Sequence, residues 1–476
     1  MTLVLGMASL MLVVRHISAE AYGMFVLIRV IYIVLAEVTN LGLTLVIPKY
    51  LAGSEDVQYK CGLINTVIYF RLVTIVVCGL LMFAGRTALL AVFHSFPLPR
   101  TLFVYVAILF GLESIARTLM SILQGQFRFR MIGIISTLSA AVNFIATIVF
   151  IFPLNLSTVG LIYAACASDT LIIILAYTGA QIRDKREISL FTLKGMLRFG
   201  LPLQVQYMLD FVFARIDTVI IGFWLGTGSV AFYEVARKLP DSAMYLFDAF
   251  HSVYFSFVAK LHSNGSWDKV VKLLNNSTRM LSFVTSFGAL VAVLFGKQII
   301  SMLFSQKYLP SYYPFVILMF GLSLSAVDSV LGYSLVAIGE PTKPLIVNSI
   351  RAIINVSLNL VIIPIFRVIG AAAVTVVSNL VAAPLDVYFL RKRKVRADIL
   401  AFVKPIIIAG AYGLLFVFVA TSLVSIKLLF ILMFLLTCLL VSVVTRDDRQ
   451  VFVAETISVW NRLCGREATE CVKIPT

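Results

Sequence analysis

The sequence predicts an all-α, polytopic membrane protein, and three observations support this fold class. Of the 476 residues, 61% are hydrophobic and only 13% are charged, whereas a soluble domain carries about 25% charged residues. Apolar runs of about 18–25 residues recur along the chain, and each is long enough to cross about 30 Å of hydrocarbon. The third observation is an internal repeat. Together they predict two parallel six-helix bundles followed by two C-terminal transmembrane helices, with about fourteen spans in all.

The spans can be placed in order from the apolar runs and the polar loops between them. The first run, Met1–Val14, is short, but no basic segment precedes it as in a signal peptide, so we interpret it as a span. The segment 267–280 is amphipathic and basic, and it predicts a helix at the membrane surface. The predicted spans are 1–15, 22–47, 63–84, 101–123, 131–152, 158–180, 199–224, 229–257, 280–304, 313–338, 345–366, 369–390, 403–423 and 426–445.

The domain organisation and orientation follow from the charges in the loops. Most of the 39 Lys and Arg residues lie in one set of alternate loops and in the C-terminal tail. Because cytoplasmic loops carry the excess of basic residues, we expect both termini in the cytoplasm and the protein in the inner (cytoplasmic) membrane. The predicted domains are a six-helix bundle over 1–180, a basic linker over 181–198, a second bundle over 199–391, two extra spans within 392–445 and a tail over 446–476.

The repeat is marked by residues that recur at a nearly constant offset. Six spans per half is an even number, so both halves enter the membrane in the same direction and are related by an axis along the membrane normal. The landmark pairs are Tyr22 with Tyr233, Gly125 with Gly339, Asn143 with Asn355, Pro153 with Pro364, and Gly160 with Gly370.

The composition argues against several other classes of protein. The net charge of +16 lies mostly in short loops between apolar runs, which is typical of membrane topology and not of a nucleic-acid binder. The four His residues are dispersed, and no glycine-rich nucleotide loop is present, so we expect neither a metal nor another cofactor. The longest outer loop, near 85–100, is too small for a catalytic domain, and we therefore expect no enzyme.

Two segments carry a resemblance to a known family. The segment LGTGSVAFYEVARKL at 225–239 and the run that begins with IGEPTKP at 338–344 resemble polysaccharide flippases of the multidrug/oligosaccharidyl-lipid/polysaccharide exporter superfamily. The resemblance is greatest to O-antigen and exopolysaccharide repeat-unit flippases. It implies alternating access between two bundles and the translocation of an undecaprenyl-pyrophosphate-linked oligosaccharide. It also implies membrane lipids, a polysaccharide polymerase and chain-length proteins as partners.

Two alternatives within the superfamily stay open. One is a cation-coupled multidrug antiporter, and the other is a flippase for a lipid-linked peptidoglycan precursor. An antiporter for cations would need an acidic lumen, whereas Arg residues in the spans favour an anionic substrate.

A carrier of a pyrophosphate-linked lipid needs cations that face a water-filled lumen, and Arg suits phosphate because its planar fork forms paired hydrogen bonds. Arg29 and Arg215 are favoured because neither has an acid one helical turn away. Each of the others has an alternative explanation, which is a carboxylate one turn away or a side chain that reaches the membrane surface. The candidate substrate-binding residues are Arg29, Arg71, Arg117, Arg215, Arg237, Lys238 and Arg351.

Two acids are candidates for ion coupling. Asp210 and Asp217 are seven residues apart and therefore share a helix face. A carboxylate inside the membrane can exchange H⁺ or Na⁺ with a gradient. The alternative, which we favour, is that these acids pair with Arg215 or with the cations of the next helix.

Overall fold

The computed structural model describes residues 2–53, 55–84, 102–180, 190–393, 395–419 and 423–441. The predicted outer loop near 85–100, the first half of the linker (181–189) and the tail fall outside these residues. The helices are α1 (Thr2–His16), α2 (Ala19–Asn40), α3 (Leu43–Ala52), α4 (Val57–Ala84), α5 (Leu102–Gly125), α6 (Phe129–Ile151), α7 (Ser157–Gly179), α8 (Leu190–Leu225), α9 (Thr227–Ser263), α10 (Trp267–Leu303), a 3₁₀ turn (Gln306–Ser311), α11 (Tyr312–Ala337), α12 (Thr342–Lys392), α13 (Ile399–Val419) and α14 (Val424–Leu440).

The predicted all-α, polytopic membrane fold is confirmed. Within the described residues, nine helices are long and apolar enough to cross a membrane, and α1, α3 and α14 are shorter apolar helices. Helices α8 and α9 are not among the nine, and both carry several charged residues within their apolar sequence. The predicted bundle boundaries stay predictions.

Some helices extend beyond the predicted spans. Helix α8 begins at Leu190, inside the predicted linker 181–198. Helix α10 runs without a break from Trp267 to Leu303 over 37 residues. The segment 267–280 is therefore the first part of a longer helix, and its predicted position at the membrane surface stays a prediction. Its amphipathic pattern arises because Val270 and Leu274 are buried in a core that includes α11.

Helix α12 is a hairpin of two arms that meet at Arg367. Arg367 has φ 54° and ψ −141°, which is not helical. Gly332 of α11 has both Pro344 of the first arm and Asp386 of the second within 4 Å of its Cβ position, so the far ends of the arms lie together. The two arms correspond to the predicted spans 345–366 and 369–390.

Two glycines that the repeat pairs occupy the same place in their hairpins. A Cβ on Gly370 would lie 2.8 Å from Ile362 and 2.9 Å from Phe366. A Cβ on Gly160 would lie 3.1 Å from Phe150 and 3.2 Å from Leu156, at the turn from α6 to α7. Each glycine lets two helices pack closely just after the chain reverses, as expected from an internal repeat.

The two halves meet in a shared apolar core. One buried cluster contains residues of α1 and α2 together with residues of α8, α9, α10 and α11, and both Tyr22 and Tyr233 belong to it. Burying apolar side chains contributes about 25 cal/mol per Å² in water-facing regions. Inside the membrane, close packing and small residues hold helices together instead.

Small residues bring the halves together at two levels. A Cβ on Gly23 of α2 would overlap the carbonyl of Thr227, where α9 begins. At the far end of α2, Gly42 has φ +80° and contacts the backbone of Gly200 in α8. Beside this second contact, the Gln204 amide donates to the Glu37 carbonyl at 2.8 Å. The halves are therefore in contact at both ends of α2.

The hairpin glycine gives a test of the fold. We expect Gly370→Leu to lower the thermal stability of the purified protein by about 1–3 kcal/mol, because the new side chain would meet Ile362 and Phe366. Gly133→Leu is the matched control, since nothing lies within 4 Å of its Cβ position. Melting curves of both variants in detergent would measure the difference. Equal stability of the two would contradict the tight hairpin.

Candidate functional site

Helix α9 separates two cavities, and its charged residues face both. The first cavity, of about 390 Å³, is lined by α1, α2, α5, α6, α7 and α9. The second cavity, of about 650 Å³, is lined by α8, α9, α11 and α12. Glu234 and Lys238 line the first cavity, whereas Tyr233, Arg237 and Asp241 line the second. Residues four apart share a helix face. Glu234 and Lys238 therefore form one stripe of α9, which lines the first cavity, and Tyr233, Arg237 and Asp241 form the adjacent stripe, which lines the second.

The first cavity collects three of the predicted cations. Arg29, Arg117 and Lys238 line it, from α2, α5 and α9 respectively. Three acids, Glu113, Asp169 and Glu234, line it as well. The formal charges balance over the whole cavity, so its ability to bind an anion depends on where the charges lie.

Arg117 is held by two carboxylates. It forms ion pairs with Glu113, one turn earlier in α5, and with Glu37 of α2. The Glu113 partner confirms the alternative explanation that the sequence offers, and the Glu37 partner comes from another helix. Arg117 is therefore already neutralised.

Arg29 and Lys238 have no such partner. No carboxylate oxygen among the described residues lies within 4.0 Å of either cation. The side chain of Arg29 is exposed to the cavity. For Lys238 the expected pairing with Glu234 does not form, because that carboxylate faces Arg215 of α8 at 3.5 Å.

Arg215 therefore differs from the sequence expectation. It has no acid one turn away on α8, but packing of α9 against α8 supplies Glu234. Arg215 also lies outside the described lining of both cavities. Arg215 is therefore connected to the first cavity through its ion pair with Glu234. The negative charge of that carboxylate is shared between Arg215 and the other cations nearby. The carboxylate of Glu234 is within electrostatic range of four cations, Arg29, Arg215, Arg237 and Lys238.

In the second cavity, Arg237 is neutralised. Its guanidinium pairs with Asp241 at 3.0 Å, as the spacing predicts, and with Asp217 at 3.5 Å. Asp217 also accepts hydrogen bonds from the Tyr233 hydroxyl at 2.5 Å and the Thr218 backbone N–H at 2.7 Å. Asp217 is thus paired with a cation of α9, which is the alternative we favoured for it. The side chain of Asp210 lies outside the described residues.

Arg351 also lines the second cavity and is paired. Its Nη1 donates to Asp328 at 2.9 Å and its Nη2 to Asn348 at 2.8 Å, while the guanidinium lies 4.4 Å from the centre of the Phe213 ring. The side chain therefore points into the protein, and the alternative of a side chain that reaches the membrane surface was wrong.

Arg71 lies away from both cavities. Its side chain is 2% exposed, and its guanidinium donates to the Ala36 carbonyl at 3.0 Å and to the Thr39 hydroxyl at 3.2 Å. Both acceptors lie near the C-terminal end of α2. Arg71 therefore joins α4 to α2 inside the protein, and its side chain does not reach the membrane surface.

Sequence reasoning missed a pair of acids. Asp328 in α11 and Asp386 in the second arm of α12 are both buried and both line the second cavity. Each is a single acid in an apolar span, which was the available signal. Nothing in the sequence indicates that the two line the same cavity.

Comparisons with known proteins agree with this architecture. A family model described as "Polysaccharide biosynthesis protein" matches residues 12–313. The chain is 24% identical to a probable low-salt glycan biosynthesis flippase of Haloferax volcanii over 389 residues, which is 79% of this chain and 78% of that protein. These findings confirm the resemblance to polysaccharide flippases of the exporter superfamily, and the relative is named as a flippase and not as an enzyme.

Two solved structures share the fold. A lipid II flippase in an inward closed conformation gives a TM-score of 0.69 at 16% identity, over 96% of this chain and 98% of that one. An inward-facing transporter of the multidrug resistance MATE family gives 0.68 at 17% identity, over 83% of this chain and 94% of that one. At such identities the likeness shows the fold alone.

The position of Arg71 leads to a prediction. We expect Arg71→Leu to destabilise the protein by about 1–3 kcal/mol, because the Ala36 carbonyl and the Thr39 hydroxyl lose a buried donor. Any activity per folded molecule should stay unchanged. Thr39→Val, which removes one of the two acceptors, should cost less. A loss of activity in Arg71→Leu without loss of stability would show that Arg71 contacts the substrate.

Proposed function

Because the chain belongs to the family of polysaccharide biosynthesis proteins, we propose that it is a flippase for undecaprenyl-pyrophosphate-linked oligosaccharide repeat units. It moves them across the cytoplasmic membrane by alternating access and thereby supplies polysaccharide biosynthesis, such as that of O-antigen or exopolysaccharide. The name of the Haloferax relative, a glycan biosynthesis flippase, supports this proposal.

One observation carries the assignment of an anionic lipid head. Arg29 from α2 and Lys238 from α9 face the first cavity from opposite halves of the repeat, without a carboxylate of their own. Together with Arg215 they share Glu234. Three cations around one acid leave local positive charge, and a pyrophosphate placed between Arg29 and Lys238 would compensate it.

The rest of the cavity wall suits a sugar. Ser139, Asn143 and Thr147 of α6 lie along one side, and Tyr32 and Ser168 lie nearby. Hydroxyl and amide groups can donate to and accept from sugar hydroxyls. Asn143 is one of the landmarks of the repeat, and its place in the lining gives it a role in the proposed carrier.

The contacts between the halves support alternating access. Gly23 meets Thr227 at one end of α2, and Gly42 meets Gly200 at the other. Each contact can separate without breaking a covalent or ionic link within a half. The structure is compatible with a carrier that opens first at one end and then at the other.

The location and the partners belong to the same proposal. We place the protein in the inner membrane with both termini in the cytoplasm, and we expect a polysaccharide polymerase and chain-length proteins to act after it. The lipid tail of the substrate would remain among the membrane lipids. Ion coupling at Asp210 or Asp217 stays a prediction, although Asp217 is already paired with Arg237.

Two alternative functions are each favoured by one observation. The likeness to a lipid II flippase favours a lipid-linked peptidoglycan precursor, whose head is also a pyrophosphate-linked sugar. The second cavity holds four acids and two cations, which would suit the cation-coupled multidrug antiporter. The two unpaired cations of the first cavity favour an anionic substrate over the antiporter.

The cations of the first cavity give the main test. We expect Arg29→Ala and Lys238→Ala to abolish glycan export in cells that lack their own flippase, since each removes an unpaired charge from the proposed phosphate site. Arg215→Ala should also abolish export, because Glu234 would then neutralise Lys238 or Arg29. Surface glycan would be measured by blotting, and insertion by the amount of folded protein in the membrane.

The control is Arg130→Ala, which removes an exposed cation at the start of α6. It should export normally. Full complementation by Arg29→Ala and Lys238→Ala would overturn the phosphate site. Loss of drug resistance in place of glycan export would favour the antiporter.

A further inference from the structure

The two cavities occupy equivalent places in the two halves of the repeat. The offsets that the landmark pairs set carry lining residues of the first cavity onto lining residues of the second. This holds on α2 and α9, and also on α7 and the second arm of α12. The second cavity is therefore the counterpart of the first. The corresponding pairs are Tyr22 with Tyr233, Ile33 with Met244, and Asp169 with Asn379.

The counterpart of the proposed phosphate cation is uncharged. Arg29 lines the first cavity, and Pro240 lines the second at the offset of Tyr22 and Tyr233. The two cations that line the second cavity, Arg237 and Arg351, both form ion pairs with carboxylates. No described cation of this cavity is left for a pyrophosphate, so the second cavity is not a second phosphate site.

The wall of the second cavity instead contains neutral polar groups that the protein leaves unpaired. Asn379 is 1% exposed, and its Nδ2 donates to Ser325 Oγ at 2.7 Å, whereas its Oδ1 has no hydrogen-bond partner among the described residues. Asn348 shows the reverse arrangement. Its Oδ1 accepts from Arg351 at 2.8 Å, and its Nδ2 donates to no residue in the described part of the chain. Unpaired polar groups in a cavity wall require water or a ligand.

These groups fit the hydroxyl groups of a sugar. A hydroxyl both donates and accepts, so one class of ligand can donate to Asn379 Oδ1 and accept from Asn348 Nδ2. An organic cation offers no acceptor to Asn348. Asp386 Oδ1, which also has no hydrogen-bond partner among the described residues, is a further acceptor for a hydroxyl. The cavity volume of about 650 Å³ lies within the range of ligand sites, about 300–1,000 Å³.

We propose that the second cavity is a saccharide-binding site, in which Asn348 and Asn379 form hydrogen bonds with sugars remote from the pyrophosphate. This inference rests on the proposed function, since the sugars would belong to the oligosaccharide whose pyrophosphate lies between Arg29 and Lys238.

The separation of the two cavities makes the proposed site selective for long glycans. Arg237 and Lys238 are neighbours in α9, and they line the second and the first cavity respectively. The distance between the two sites is thus about the diameter of a helix, roughly 10 Å. A chain of several sugars can extend over that distance, whereas a single sugar next to the pyrophosphate cannot. The site would therefore distinguish a complete repeat unit from an incomplete one.

Photocrosslinking at two equivalent positions tests the site. Benzoylphenylalanine replaces Ile33 in the first cavity or Met244 in the second, in the full-length protein in membranes. The first probe is the complete lipid-linked repeat unit from the complemented strain, with tritium in its sugars. The second is undecaprenyl pyrophosphate that carries one labelled sugar. We expect the complete unit to label both positions and the single-sugar lipid to label only position 33. An excess of the free oligosaccharide should suppress labelling at position 244.

Variants of the cavity wall test the hydrogen bonds. We expect Asn379→Leu and Asn348→Leu to reduce labelling at position 244 by about 3- to 10-fold, as expected for one or two lost hydrogen bonds. Labelling at position 33 should stay unchanged, whereas misfolding would lower both. Asn359→Leu is the matched control, because Asn359 is fully buried in α12 but does not line the second cavity. It should keep labelling at both positions.

The possible results separate this inference from the proposed function. Labelling at position 33 without labelling at position 244 would overturn the saccharide site and leave the flippase standing. Equal labelling at position 244 by both lipids would overturn the selection for complete units. If tetraphenylphosphonium suppresses labelling at position 244 and the free oligosaccharide does not, the second cavity binds cations. If neither position is labelled, the proposed substrate is wrong, and the saccharide site falls with it.

Discussion

The organisation of this membrane protein depends on how helix α9 holds four neighbouring charged residues, Glu234, Arg237, Lys238 and Asp241, within one apolar structure. A charge inside a membrane must face a partner or water. The helix meets this constraint by dividing its residues between two stripes. Arg237 and Asp241 turn toward α8 and the second cavity, and Glu234 and Lys238 turn toward the first. The same helix therefore supplies charged lining residues to both cavities.

The division makes the two cavities electrostatically different. In the second, Arg237 and Arg351 each have carboxylate partners, and Asp386 forms no ion pair with a described residue. In the first, Arg117 is fully paired, but Glu234 is shared. The formal charge of the first cavity is balanced, so an anion would be attracted to the position between Arg29 and Lys238 and not to the cavity as a whole. Asp169 and Glu113 line the same cavity from α7 and α5 and would repel a phosphate placed near them.

The sequence could predict what depends on a single helix. The apolar runs gave the helices, and the pairing of Gly160 with Gly370 located two equivalent hairpins. The ion pairs of Arg117 with Glu113 and of Arg237 with Asp241 follow from their spacing of four. Contacts between helices could not be predicted in this way, because they depend on how neighbouring helices are rotated. For this reason the sequence did not predict that Arg215 pairs with Glu234, that Arg71 donates to Ala36 and Thr39 of α2, or that Asp328 and Asp386 line the same cavity.

The way in which neighbouring helices are rotated against each other also determines how a movement of one half is transmitted to the other. Helix α2 contacts α9 at Gly23 and α8 at Gly42, where the absence of a side chain lets the backbones touch. Because α2 carries Arg29 between these two contacts, opening either end changes the distance from Arg29 to Lys238. Glu234 lies between the cations of both halves and can neutralise only some of them. The distances between the helices therefore determine which cation Glu234 neutralises. In the proposed carrier, the glycines at the ends of α2 and the cations proposed to bind the anion belong to the same helices, so a movement at either end would also move the cations.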